Sequence, residues 1–266
     1  MKKAKSQGFP DYEKPPVIEV VCGIVFETIK GFKGGHLGLF WQKVRDEFPT
    51  SEHALRLGFE PEDNVDLTNY FPRIWFINKQ QNTLIQLQDN TFFFNWRRME
   101  EEEAYPRYST IMQAFKKYLG IFDDFLKEEG LGSTHPKSCE LTYINHIPKA
   151  EGWESLSDIN QVFPDFSWNS TGKRFLPEPE HLAGQISFPL PKGQGTLKLT
   201  LQYGQRKFDK WPVLVLRNSA TGLGADKSMG AVWDWFEVAH EWIVRGFADL
   251  TGAKIQKDIW KRTDIN

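Results

Sequence analysis

Cysteine and long apolar segments are scarce in this chain. Its 266 residues include only two cysteines, Cys22 and Cys139, which excludes a disulfide framework and fits a reducing cytosol. No Cys-x-x-Cys pair and no Cys/His cluster occurs in the sequence, so we expect no structural metal site. The longest apolar run, residues 20–26, is far below the roughly 20 residues that a membrane helix needs. A polar, proline-containing stretch follows the basic N-terminus, and we therefore expect a cytoplasmic protein without a secretory signal or a membrane partner.

Net charge is also lacking. The 33 Lys and Arg residues are balanced by 35 Asp and Glu residues, and neither half of the chain, divided at Lys137, is net positive. This balance excludes the overall basicity of a strong nucleic-acid binder. It leaves two local segments that mix cations with aromatic rings, Trp96-Arg97-Arg98 and residues 206–211, as candidate nucleic-acid contacts.

Aromatic residues are the abundant class. The chain has 21 Phe, 10 Trp and 7 Tyr, which is 14% of its residues. Charged residues at 26% and hydrophobic residues at 40% are ordinary values for a globular protein. The chain is therefore long and apolar enough for a large core, arranged as two domains or as one large domain.

Periodicity predicts the same order of elements in both halves of the chain: a strand, an insert with a helix, a three-strand meander and a long helix. We expect residues 1–16 to form a flexible arm, residues 17–137 the first half and residues 138–266 the second half, around one continuous core. The predicted strands are 17–29, 73–77, 83–88, 91–96, 138–147, 183–190, 196–203 and 212–218. The predicted helices are 37–48, 108–129, 153–162 and 231–250.

These elements indicate a fold class. Each long helix has one apolar stripe that needs a sheet face to cover it, and the short connections make the meanders antiparallel. We predict an α+β fold in which both halves form one curved antiparallel sheet with the helices on one side, in a TATA-binding-protein-like or helix-grip-like arrangement. In that layout the strands that hold Cys22 and Cys139 are central neighbours.

The two meanders differ in their apolar pattern. In the second, Leu197, Leu199 and Leu201 alternate with polar residues, which predicts one exposed face. In the first, residues 92–96 are apolar on both faces, so a helix or a second subunit must cover the additional face. We place the remaining surplus of aromatic side chains at Phe93 and on the last helix.

The sequence shows no catalytic constellation. His240-Glu241 begins like a metalloprotease motif, but Val244 stands where the second histidine is needed. Gly222 and Gly224 precede a helix without the Lys-Ser/Thr of a P-loop or the third glycine of a dinucleotide fingerprint. We therefore predict no catalytic residue, no metal and no cofactor.

Five residues are candidates for binding. Tyr143 and Asn145 share one face of a predicted strand, and with Arg97 they would line a pocket between the sheet and the helices. A buried asparagine is more often a satisfied structural group. Trp235 and Trp242 are seven residues apart on the last helix, away from its apolar stripe. Exposed tryptophans on a helix are typical of protein interfaces.

Four segments carry a resemblance to a known family. They are residues 15–22 (Pro-Pro-Val-Ile-Glu-Val-Val-Cys), residues 105–108 (Tyr-Pro-Arg-Tyr), the strand 141–147 with its Tyr-Ile-Asn centre, and the final helix that carries His240. In this order they resemble a bacterial family of unknown function that is sporadically distributed among genomes. The resemblance implies an accessory bacterial gene, near mobile elements or phage-defence genes, and it supplies no catalytic residue.

The resulting functional expectation is a non-enzymatic binding or scaffold protein of such an accessory system. It would act through protein–protein contacts and form a homodimer. Two alternatives stay open. One is a nucleic-acid-binding protein that uses the polar sheet face, and the other is a small-ligand binder or enzyme with a pocket between sheet and helices.

Overall fold

The computed structural model describes residues 8–57, 71–168, 173–177, 179–206 and 209–264. Across these residues the chain has an α+β fold, built from a nine-stranded antiparallel sheet and five α-helices. The strands are β1 (Val17–Phe26), β2 (Thr50–Ala54), β3 (Arg73–Ile77), β4 (Thr83–Gln88), β5 (Thr91–Arg97), β6 (Pro136–Pro148), β7 (Leu182–Pro189), β8 (Thr196–Gln205) and β9 (Pro212–Gly222). The helices are α1 (Gly34–Val44), α2 (Tyr108–Glu128), α3 (Ile159–Val162), α4 (Met229–Leu250) and α5 (Ala253–Asp258).

The strand order confirms the predicted fold class. It runs β2-β3-β4-β5-β1-β6-β9-β8-β7. The strands that hold Cys22 and Cys139, β1 and β6, are therefore central neighbours, as predicted. The edges of the sheet are β2 and β7. β2 lies between the predicted helix 37–48 and the predicted strand 73–77, where no strand was predicted, and residues 58–70 lie outside the described residues.

The chain forms two compact units. The first unit contains Glu19–Leu141 and Thr221–Trp235, and the second contains, as far as they are described, residues 8–18, Thr142–Ala220 and residues 236–264. The division along β6 falls between Leu141 and Thr142, a few residues from the predicted boundary at 137. Each unit also includes a segment from the other half of the sequence, because β1 begins in the second unit and α4 begins in the first.

Aromatic side chains form the core of the first unit. The rings of Phe40 on α1 and Phe122 on α2 both lie against Phe92 on β5, with centroid distances of 6.4 and 5.5 Å. Apolar residues recur at helical spacing along α2, and the helix ends before Gly130, whose positive φ of 68° is a conformation that glycine adopts readily. The helices α1 and α2 therefore cover one face of the first meander, and the abundance of Phe in this half is core packing.

Phe93 points to the opposite face of β5 and is also buried. Its ring lies directly over Gly23 of β1, and a Cβ atom on that glycine would be only 1.9 Å from a ring carbon. The strands β1 and β5 pair so that Gly23 is opposite Phe93. Phe93, which the sequence pattern did not assign to a core, therefore occupies the space that Gly23 leaves because it has no side chain.

The second unit shows the predicted alternation. Leu197, Leu199 and Leu201 of β8 are buried, whereas Lys198 and Gln202 are exposed. On the neighbouring strand β7 the side chains alternate between half-buried and exposed from Leu182 to Pro189. One face of the second meander is thus packed, and the other face, which we call the open face, is exposed to solvent.

The expectation of a flexible N-terminal arm is not met at residues 11–14. The backbone N–H groups of Glu13 and Lys14 donate to the carbonyl groups of Lys261 and Trp260. Tyr12 is buried, and its hydroxyl group is 3.1 Å from Gln256 Oε1. This segment is held because an aromatic side chain anchors it to the C-terminal residues of the same unit. Residues 1–7 lie outside the described residues.

Candidate binding sites

The two tryptophans predicted to form an exposed pair have different environments. Trp235 is 0% exposed, so its prediction as a surface residue is wrong. Trp242 is half-buried. The physical reason is that Trp235 follows the buried Val232 by three residues and precedes the buried Ala239 by four, so it belongs to the apolar stripe of α4. Trp233 also has partners. The centre of its ring lies 6.1 Å from that of Phe115 and 4.8 Å from Lys116 Nζ.

The other three predicted residues have separate partners. Asn145 is buried and donates from Nδ2 to the Leu216 carbonyl oxygen at 3.1 Å, which is a structural hydrogen bond between β6 and β9. The ring of Tyr143 is buried 6.3 Å from that of His240 on α4. Arg97 belongs to the first unit and donates from Nε to the Gln81 carbonyl oxygen at 2.7 Å. Tyr143 and Asn145 therefore belong to the packing of the second unit, and Arg97 binds the turn between β3 and β4 of the first.

A chain of polar side chains crosses the first meander and was not predicted. Asn95 donates to the Glu19 carboxylate at 2.6 Å, and Gln86 donates to Asn95 Oδ1 at 2.7 Å. Gln86 Oε1 in turn accepts hydrogen bonds from Arg73 Nη1 at 3.0 Å and from the Trp75 indole at 3.1 Å. Asn95 and Gln86 are buried. This polar chain connects four strands through side chains and satisfies amides that would otherwise be costly to bury.

A groove lies in the second unit between the segment after β6 and the helix α5, and we call it the α5 groove. Its volume is about 380 Å³, which is within the range of ligand pockets. The floor contains the buried side chains of Trp153 and Ile255. The remaining lining residues are Ala150, Gly152, Glu154, Asp158, Gln161, Lys254, Asp258 and Ile259.

Close backbone approach shapes this groove. The Gly252 N–H group donates to the Val162 carbonyl oxygen at 2.9 Å, and a Cβ atom on Gly252 would be 2.1 Å from the Gln161 carbonyl oxygen. Gly152 has a φ of 83° and lies against Ile255. These two glycines bring α5 onto the insert. Because both glycines contact a segment that is far away in the sequence, no local pattern predicted the groove.

The rim of the α5 groove is predominantly acidic. Glu154, Asp158 and Asp258 line it together with one cation, Lys254. Backbone N–H groups of Glu154 and Ser155 donate to Asp158 Oδ2 at 3.1 and 3.0 Å, and these bonds hold the pKa of the Asp158 carboxyl group below its usual value. An apolar floor beneath a negative rim is suited to a ligand that combines a bulky apolar group with positive charge.

The two edge strands offer different surfaces to a partner. β2 has five residues, Thr-Ser-Glu-His-Ala, and pairs with β3. β7 has eight residues, Leu-Ala-Gly-Gln-Ile-Ser-Phe-Pro, none of them charged, and pairs with β8. Natural edge strands are usually kept from pairing with other chains by shortness, charge or proline. β2 has the first two protections, whereas β7 has only a proline at its last position.

Reactive side chains are few among the described residues. Both thiols are buried. Burial raises the pKa of Cys22 far above its usual range and that of Cys139 to about 12, so neither forms a thiolate readily. In the described part of the chain, no group of three or more His, Cys, Asp or Glu side chains is placed to hold a metal ion. No described helix combines the length and the apolar character required to cross a bilayer.

Comparison with known proteins adds little to these observations. No family model matches the chain, and no curated protein matches it. One similar solved structure is the di-domain ARO/CYC StfQ from the steffimycin biosynthetic pathway, with 9% sequence identity over 88% of this chain and 96% of that one. Its TM-score is 0.19. A similarity of this degree carries no argument about function.

Proposed function

We propose that this chain is a non-enzymatic binding protein that pairs an extended segment of a protein partner with the edge strand β7. The observation that carries the proposal is the uncharged, eight-residue edge that β7 presents at the end of the sheet. An exposed edge strand binds a partner strand through main-chain hydrogen bonds, and its alternating side chains supply specificity. A length of eight residues gives room for several such bonds.

The side-chain pattern of β7 supports this role. Gln185 and Ser187 are exposed on the open face, and Ile186 and Phe188 are half-buried on the other. A partner strand beside β7 would therefore meet polar groups on one face and apolar groups on the other. Its own sequence should alternate in the same way.

The test places charge on the edge without touching the core. In a variant with Gln185→Lys and Ser187→Lys, two exposed side chains of β7 become lysines, the residue that natural edges use against pairing. We expect this variant to bind a purified partner of the wild-type chain more weakly, with a Kd that is at least tenfold higher. The matched control carries Thr200→Lys and Gln202→Lys on β8, which has neighbours on both sides. Equal binding by both variants would contradict the proposal.

The open face supports a second candidate function, nucleic-acid binding. The strands β7, β8 and β9 contain no Asp or Glu, while Lys198 and Arg217 are exposed on them. Two cations without an aromatic stacking platform make a weak site. If the face binds single-stranded RNA or DNA, the affinity should fall with salt and Arg217→Glu should abolish it. Absence of binding at low salt would remove this candidate.

We further propose that the chain works in the bacterial cytoplasm as part of an accessory system that acts in phage defence. This setting is supported by the family resemblance of residues 15–22 and 141–147 and by the two unbridged cysteines. Deletion of the gene in its host, followed by plating against a phage panel, tests the defence role. Unchanged plating efficiency across the panel would contradict it.

A further inference from the structure

We infer that the α5 groove binds residues 173–176 of a second copy of this chain. The proposal concerns a different surface from β7 and does not depend on the proposed function. It rests on two features of the second unit that have no role in the packing described above. One is the acid-rimmed groove with its apolar lining, and the other is a basic and apolar segment in which Phe175 and Leu176 are exposed and the Arg174 guanidinium lies 4.6 Å from the centre of the Trp168 ring.

The segment reads Lys-Arg-Phe-Leu from Lys173 to Leu176. Phe175 is 100% exposed and Leu176 is 64% exposed. Adjacent large apolar side chains that are exposed to this extent are uncommon on a monomeric protein and mark contact sites. The segment lies between the short helix α3 and the strand β7, so it extends from a connection and can reach another molecule.

The groove is complementary to this segment in both chemistry and size. Its lining includes the half-buried Ile259 beside the buried Trp153 and Ile255, and this apolar surface suits the ring of Phe175 and the side chain of Leu176. Three carboxylates and one ammonium group on the rim leave an excess of negative charge for the two cations that precede Phe175. A volume of about 380 Å³ is suited to one or two bulky side chains.

A second copy is the occupant that these observations favour. Within one chain the segment does not enter the groove, because Phe175 is wholly exposed. Each copy carries one groove and one segment, so a twofold pair makes the same contact twice and closes as a dimer. The segment and the groove are therefore self-complementary without any other partner.

The first measurement is the mass of the full-length chain by sedimentation equilibrium from low to high micromolar concentration. The wild type should be a concentration-dependent dimer. A variant with Phe175→Ser and Leu176→Ser should weaken dimerisation at least tenfold, and so should Asp258→Lys on the groove rim. The controls remove an exposed apolar side chain elsewhere, Leu55→Ser, and reverse an exposed charge elsewhere, Glu101→Lys. Both controls should dimerise like the wild type.

A second measurement separates the groove from the oligomeric state. A labelled peptide of residues 173–177 should bind the variant with Phe175→Ser and Leu176→Ser, as followed by fluorescence anisotropy, and should lose affinity at least fivefold when Asp258→Lys is added. Combining Arg174→Asp with Asp258→Arg should restore dimerisation relative to either single change, because the charges are exchanged between the two surfaces.

Three results would overturn the assignment. A wild-type chain that stays monomeric throughout the concentration range excludes the second copy as occupant, even if the peptide binds. Equal dimerisation by the wild type and the variant with Phe175→Ser and Leu176→Ser would show that residues 173–176 do not form the dimer contact. Loss of dimerisation in the variant with Gln185→Lys and Ser187→Lys, but not in the variant with Phe175→Ser and Leu176→Ser, would assign the dimer contact to β7. That last outcome leaves the protein-binding proposal intact and so separates the two hypotheses.

Discussion

The two meanders of this chain are built from the same order of elements but treat their second face in opposite ways. In the first meander, β4 and β5 are buried on both faces, and the polar chain from Arg73 to Glu19 fills the face away from the helices. In the second meander, the corresponding face is open, with Lys198, Gln202 and Arg217 exposed. The same order of elements thus carries a buried network of polar side chains in one half and a solvent-exposed surface in the other.

The edges repeat this contrast. β2 is short and carries Glu52 and His53, whereas β7 is longer and uncharged. Natural sheets usually protect their edges against pairing. The first half follows that rule and the second departs from it, which is why we assign partner binding to the second half. Substitutions matched between the halves test whether the difference is real.

The largest effect should come from the glycine beneath Phe93. Gly23→Ala places a Cβ atom where the ring already lies, 1.9 Å from a ring carbon, so the ring or the strand must shift. Overpacking of this severity should reduce the free energy of unfolding by about 3 kcal/mol. The matched change in the second meander, Gly204→Ala, meets no atom within 4 Å and should stay within about 0.5 kcal/mol.

Chemical denaturation of both glycine variants measures these differences. If the two variants lose similar stability, Phe93 is not held against β1 in solution. The contrast between a doubly covered first meander and an open second meander would then fail.

The next largest effect should follow from interrupting the polar chain. Asn95→Ala removes the donor to the half-buried Glu19 and the acceptor for the buried Gln86, and it leaves both partners without this bond. Buried polar groups that lose a partner cost about 1–3 kcal/mol, and we expect a loss of about 2 kcal/mol in thermal or chemical unfolding. Gln202→Ala on the open face is the control and should be nearly neutral. A neutral Asn95→Ala would mean that the chain of amides contributes nothing to stability.

Local patterns were sufficient for most of the secondary structure. The predicted strands 73–77 and 83–88 coincide with β3 and β4. The helix predicted at 108–129 coincides with α2 except that α2 ends one residue earlier. These elements are specified by alternation, by helical spacing and by the tight turn at Asp89-Asn90, all of which involve close neighbours in the chain. β2 was missed because Thr-Ser-Glu-His-Ala has no apolar alternation and pairs only through its backbone with β3.

The candidate sites could not be predicted in the same way, because they depend on distant contacts. Asn95 and Glu19 are 76 residues apart, and the α5 groove joins the insert to the C-terminal helix. Trp235 was predicted on a surface because the predicted apolar stripe was too narrow, whereas the buried face of α4 also includes Trp235 and Ala239. The open face was predictable, since alternation on β8 is a local signal.

Acid should destabilise the second unit through two half-buried histidines, His146 and His240. Burial lowers the pKa of His240 to about 4, and burial together with Arg206 lowers that of His146 to about 4. Below the ordinary histidine pKa of about 6.5, the unfolded chain binds protons that the folded chain does not. The free energy of unfolding should therefore fall as the pH drops from about 6.5 to 4, by at most about 1.4 kcal/mol per pH unit for each histidine.

Unfolding curves at several pH values check this dependence. The variant with His240→Gln should show a shallower slope than the wild type between pH 6.5 and 4. An unchanged slope would mean that this imidazole is solvated in the folded chain. It would also contradict the placement of the His240 ring 6.3 Å from that of Tyr143.

The smallest effect should be on the stability of the edge itself. Gln185→Lys and Ser187→Lys add two charges to β7, but both side chains are exposed, so the free energy of unfolding should change by no more than about 0.5 kcal/mol. The measurement is chemical denaturation of the purified variant beside the wild type. A loss greater than about 1.5 kcal/mol would mean that part of the same chain covers this edge. β7 would then be as well protected as β2, and the edge could not accept a partner strand without first being uncovered.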